Sequence, residues 1–180
     1  QGFAFFTSYP IVASVLKWFI VIALTEELLK YLVVKFSILK SYALDEPLDI
    51  MLYMVVVALG FAAVENILYL FAPTNGNSLN IVIQTTVVIT LIRFLGATFL
   101  HTLCSALLGY FLALSSLRSK KRLRLTIVGI SLATLLHGLY NFSIIVLRSP
   151  FNFIIPIAII TGLVIFILYD FNEIKKIKSI

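Results

Sequence analysis

Five long apolar runs, near 18–39, 50–72, 94–117, 125–147 and 151–170, are separated by the short polar breaks SYALDEPLD, PTNGNS, RSKKRLR and RSP. Each run reaches the roughly 20 apolar residues that a helix needs to cross a bilayer. None shows the alternation, over about ten residues, of a membrane barrel strand. The pattern predicts an all-α fold: a polytopic transmembrane helical bundle of about five spanning helices, forming a single domain over 1–180. Two further apolar stretches, GFAFFTSYPIVASV before Lys17 and LNIVIQTTVVITLI before Arg93, run to fourteen residues each and are short for crossing. They are expected to be interfacial, re-entrant or helix-extending pieces. For 79–117 the other reading is one long helix, tilted or broken at Gly96.

Four of these runs are interrupted by ionisable side chains: Glu26, Glu27 and Lys30 in the first, Glu65 in the second, His101 in the third and His137 in the fourth. Such groups inside a membrane cost several kcal/mol unless they face a protein-lined or wet cavity, so together they predict one shared polar site.

Composition supports the membrane class and sets an orientation. The chain of 180 residues is 61% hydrophobic and 12% charged, with mean hydropathy +1.09, which leaves too little polar surface for a soluble domain. The net charge of +6 does not point to nucleic acid, because five of the fourteen basic residues lie in the loop 118–124. A basic loop between two spans is a cytoplasmic anchor, and the last two spans then return the lysine-bearing tail EIKKIKSI to the cytoplasm as well. The expectation is a multi-pass cell-membrane protein with PTNGNS outside and Lys17 and Trp18 at the outer interface. Gln1 in place of an initial Met predicts that an upstream segment was removed by processing or trimming. Cys104 lies in an apolar run and reads as a small packing residue.

The orientation puts the ionisable groups at one level. Counted from the outer end of each span, Glu26 lies about eight residues in, Glu65 and His101 about seven and His137 about ten. That is roughly 10–15 Å below the outer surface. The shared site is therefore expected in the outer half of the bilayer.

Part of the cluster has a purely structural reading: Lys30 can neutralise one of Glu26 and Glu27 from i,i+4 or i,i+3, and His137 with Asn141 can bridge helices. One lysine cannot account for two adjacent carboxylates. Gly60, Gly96, Gly109 and Gly138 read as close-packing positions. The chemistry within reach is hydrolysis. Two histidines and a carboxylate, His101, His137 and Glu65, can hold Zn²⁺ with an open position for water, leaving Glu26 as base. Without metal, glutamate and histidine can activate water while the second histidine and Asn141 stabilise the oxyanion. HExxH, GxSxG and GxGD signatures are absent. The rival reading is a proton- or cation-coupled transporter using the same Glu and His residues as a relay, although no internal repeat is visible.

The segments EELLK (26–30), GFAAVEN (60–66), RFLGATFLHTLCSALLG (93–109) and HGLYN (137–141) resemble, in order, the four motifs of PrsW-type intramembrane proteases. That family belongs to a superfamily with CAAX prenyl endopeptidases and bacteriocin-immunity-type membrane proteases. The resemblance implies that Glu26 is the water-activating base, Glu27 its partner, His101 and His137 catalytic or metal-binding, and Asn141 a support for the oxyanion. Lys30 stands one position before the arginine of the CAAX-type EExxxR. Glu65 with Asn66 follows the PrsW pattern. Ala97 occupies the place of the CAAX-type phenylalanine, which argues against prenylated substrates. The implied partner is a single-span, anti-sigma-factor-like membrane protein in the lipid bilayer, cut near the outer face.

Overall fold

The computed structural model describes residues 10–39, 44–70 and 79–175. The helices are α1 (Pro10–Val15), which passes into a π-helical segment (Leu16–Leu24) and then α2 (Thr25–Ser37), followed by α3 (Pro47–Leu70), α4 (Leu79–Leu117), α5 (Arg122–Val146) and α6 (Phe151–Ile174). A 3₁₀ turn, Ser119–Lys121, joins α4 to α5. PTNGNS, residues 1–9 and the end of the basic tail lie outside the described residues.

Among the described residues, four helices are long and apolar enough to cross a membrane: Pro47–Tyr69, Thr86–Leu117, Arg122–Val146 and Phe151–Ile174. They make the chain a multi-pass, all-helical membrane protein. The span expected at 18–39 takes a different form. Backbone angles stay right-handed helical through Val15, Leu24 and Thr25, so α1, the π segment and α2 form one continuous rod. That rod carries Lys17, Glu26, Glu27, Lys30 and Lys35, too many charges to qualify as a span by composition.

The rod turns its polarity inward. Glu27 and Lys30 are fully buried, while Leu29, Leu32, Val33 and Phe36 face outward. The rest of the bundle follows the same rule, with Leu95, Ile157 and Ile165 among many exposed apolar side chains. Lipid gives no reason to hide them, and every reason to hide a charge.

Helix starts follow local chemistry. Pro47 opens α3, where its missing N–H costs nothing, and the Asp49 carboxylate accepts the backbone N–H groups of Asp45 (3.2 Å) and Glu46 (2.9 Å). The stretch 79–93 belongs to α4 and extends it without a break at Gly96. Helical hydrogen bonding inside an apolar slab is too costly to interrupt without a compensating partner. At 39 residues α4 is about 58 Å long.

α3 packs on α4, α4 on α5, and α5 on the π segment, while α6 covers α4 and α5. The core between them contains Met51, Met54, Leu100, Leu107, Leu108 and Leu112. Two glycines let a helix approach its neighbour's backbone. A Cβ on Gly109 would sit 2.8 Å from the Met51 Cα, and one on Gly138 would sit 2.6 Å from Phe19 Cδ1 and 3.1 Å from the Phe19 Cα. The second contact fixes how near α5 stands to the rod, and so where His137 meets Glu27.

Candidate active site

Three helices and the rod each contribute one part. α2 begins one residue before Glu26, so Glu26 and Glu27 stand in its first turn and Lys30 in the next. Glu65 projects from α3, His101 from α4 and His137 from α5.

Their side chains form one linked cluster. The Lys30 ammonium donates to Glu27 Oε1 at 2.7 Å and to His101 Nδ1 at 2.8 Å. His101 Nε2 then donates to Glu65 Oε2 at 2.9 Å. His137 Nδ1 donates to Glu27 Oε1, also at 2.9 Å. These tautomers follow from the partners: ammonium can only donate, and an unprotonated carboxylate can only accept. The two rings stand edge to face, centroids 4.8 Å apart.

Glu26 closes the arrangement. Its Oε2 lies 3.7 Å from His137 Nε2 and 4.0 Å from His101 Nδ1, and makes no hydrogen bond among the described residues. A buried carboxylate oxygen facing imidazole nitrogens at these separations is spaced for something to sit between them. The donor atoms of Glu26, His101 and His137 all lie within 4.8 Å of one another. Donors on a tetrahedral Zn²⁺ stand about 3.3–3.4 Å apart, so the gaps are of the right order. The other nitrogen of each histidine is held by a carboxylate, Glu27 for His137 and Glu65 for His101, the usual support of metal-bound imidazoles. The chemistry of the donor set therefore fits a divalent cation. Lys30 would have to leave His101 Nδ1 if that nitrogen served as a ligand.

The structure thus gathers Glu26, His101 and His137, where the sequence pattern had suggested Glu65 with the two histidines. Glu65 bonds the far nitrogen of His101, and its second oxygen pairs with Arg93 Nη2 at 2.9 Å. Arg93 in turn lies 3.3 Å over the Tyr69 ring, one turn beyond Glu65. The position of Arg93 at the edge of an apolar run gives no sign of this pairing.

A cavity of about 620 Å³ opens beside the cluster. Glu26, Glu65, His101 and Asn141 line it together with Tyr140 and, toward its rim, Lys17, Trp18 and Arg93. His137 is not on its surface; at 1% exposure it sits behind Glu26. Asn141 shares the cavity one turn beyond His137. Asn66 faces away and donates to Thr98 Oγ1 at 3.1 Å, tying α3 to α4.

Comparison with known proteins is consistent with this geometry. The family described as "PrsW family intramembrane metalloprotease" matches residues 3–169. A Protease PrsW of Geobacillus kaustophilus (strain HTA426) is 35% identical over 124 residues, covering 69% of this chain and 50% of that protein. One from Oceanobacillus iheyensis is 34% identical over 127 residues, covering 69% and 52%. One from Shouchella clausii (strain KSM-K16) is 30% identical over 160 residues, covering 89% and 67%. The chain spans about half the length of the first two relatives. No solved structure matches.

Proposed function

The chain belongs to the PrsW family of intramembrane metalloproteases, and from that premise we propose that it hydrolyses a peptide bond of a single-span, anti-sigma-factor-like membrane protein near the outer face of the cell membrane. The observation that carries the reading is Glu26: a carboxylate on the cavity wall whose Oε2 has no donor and faces two histidines.

Each residue of the cluster has a part in this chemistry. Glu26 takes the proton from the attacking water, since it is the cavity-wall carboxylate with an oxygen left without a donor, whereas both oxygens of Glu65 are engaged by His101 and Arg93. Glu27 and Glu65 hold His137 and His101 in their tautomers and orientations. Lys30 balances the charge of Glu27 where no water reaches. Asn141, on the cavity wall, supplies an amide N–H to the developing oxyanion. Glu26, His101 and His137 are also the residues that would hold a divalent cation such as Zn²⁺, which would supply Lewis-acid polarisation of the carbonyl and water; with the cation bound Glu26 would serve as its ligand, and without it as the base. With the loop 118–124 in the cytoplasm, the cavity lies in the outer half of the bilayer, and a substrate helix must unwind near its outer end to present a peptide bond. The named relatives are proteases, so the relay of carboxylates and histidines is read as catalytic support and not as a transport path.

The test is cleavage of a single-span substrate by the reconstituted chain and its Glu26→Gln variant, alongside elemental analysis of both. Gln keeps the shape and removes the base, so the rate should fall by about 10²–10⁴-fold. Undiminished cleavage by the folded variant would refute the assignment.

A further inference from the structure

At the other end of the bundle, α2, α4 and α5 enclose a second cavity of about 660 Å³. Its polar lining is Tyr31, Lys35, Ser115, Lys120, Arg122 and Thr126, with no carboxylate. Leu39, Leu112 and Leu123 give it an apolar wall. Lys35 lies 9 residues beyond Glu26 and Ser115 14 beyond His101, while Thr126 comes 11 before His137. These spacings place the cavity roughly 13–21 Å from the catalytic groups, toward the basic loop 118–124.

The cavity is short of negative charge. Lys35 Nζ lies over the rings of Tyr31 and Phe36, at 5.4 Å and 5.7 Å, and pairs with no carboxylate among the described residues. Lys120 and Arg122 enter no ion pair among the described residues. Thr126 is only 9% exposed and lines the cavity, and its hydroxyl has no partner among the described residues. That hydroxyl is open to the cavity and can donate to a polar group there. α5 begins at Arg122 with no side-chain cap, which leaves the positive end of its helix dipole at the same corner.

We propose that this cavity binds the phosphate headgroup of an anionic phospholipid, with an acyl chain against Leu39, Leu112 and Leu123. Three unpaired cations, a hydroxyl and a helix N-terminus suit a phosphate, and basic pockets between spanning helices are where anionic headgroups lodge. Free phosphate would satisfy the cations but leave the leucine wall uncovered. The proposal does not depend on the catalytic reading.

The test uses the full chain in neutral detergent, with native mass spectrometry and thermal melting against phosphatidylglycerol, phosphatidylcholine and inorganic phosphate. Phosphatidylglycerol should be retained preferentially. The pair Lys35→Gln and Arg122→Gln should weaken it by about fivefold per removed cation. The pair Lys121→Gln and Arg124→Gln removes the same charge from outside the cavity lining and should leave phosphatidylglycerol retention intact. Equal losses in the two pairs would mean diffuse surface attraction and overturn the site. Equal retention of phosphatidylcholine, or stabilisation by inorganic phosphate matching that of phosphatidylglycerol, would overturn the lipid assignment. If the cavity pair fails to fold, Thr126→Val serves: it keeps the shape, and unchanged phosphatidylglycerol binding would count against the proposal.

Discussion

Replacing Lys30 by Met tests whether the site is held together by its own charges. Met keeps the length of the aliphatic stem and removes only the ammonium. That group is completely buried and is the hub between Glu27 Oε1 at 2.7 Å and His101 Nδ1 at 2.8 Å, and it also lies 4.9 Å over the Phe61 ring. Without it, Glu27 keeps a single donor, His137, for a carboxylate whose other oxygen already lacks one. Removing one partner of a buried ion pair costs about 3–5 kcal/mol, because the remaining charge is stranded. Glu27→Gln alone should be costly for the reciprocal reason. The double variant leaves neither charge stranded, so its loss should fall short of the summed single losses by about 2 kcal/mol, within the range of contacting pairs. Unfolding in mixed micelles can be followed by the fluorescence of Trp18, the one tryptophan in the chain. An additive cycle, or a Lys30→Met cost below about 1 kcal/mol, would refute the account, since a surface-like pair contributes no more than that.

Gly138→Ala should destabilise the fold by about 1–3 kcal/mol, because its Cβ would press on the Phe19 ring and backbone; a neutral effect in the same unfolding assay would show that the rod can slide aside freely. Glu65→Gln should lower cleavage or metal retention by about 10–100-fold through loss of His101 orientation, while leaving the fold intact; full activity would remove Glu65 from the positioning role. Helix-breaking Gly or Pro in the outer third of a substrate span should speed cleavage, and the same changes in its cytoplasmic third should not. Product termini mapped by mass spectrometry to the cytoplasmic end would overturn the orientation.

The membrane class and the helical segments could be read from the runs of apolar residues, because length and the absence of charge are what a bilayer selects. The gathering of Glu26, Glu65, His101 and His137 followed from cost alone, since none of them tolerates lipid. What the spacing could not convey was which side of each ring a carboxylate would occupy. Depth counts residues along an axis, whereas the exchange of Glu26 for Glu65 beside His137 depends on rotation about it. The π-helical segment was equally hidden: its wider turn is a matter of backbone hydrogen bonding, and LKWFIVIAL reads as ordinary apolar helix. Nothing in the run around Arg93 signals that the fold lays it across Tyr69 and against Glu65.

The inward-facing charges of the rod bear on how the protein is made. Glu26, Glu27 and Lys30 reach the translocon before α4 and α5 exist, yet their partners His101 and His137 lie in those later helices. On insertion scales each such charge opposes membrane entry by about 2.5–3.5 kcal/mol near a helix centre. The rod is thus a reluctant entrant that becomes secure in the bilayer only after the histidine helices have followed. A chain stalled before them would keep the rod at the interface, its glutamates in water, so the clustered site and the finished topology come into being in a single step.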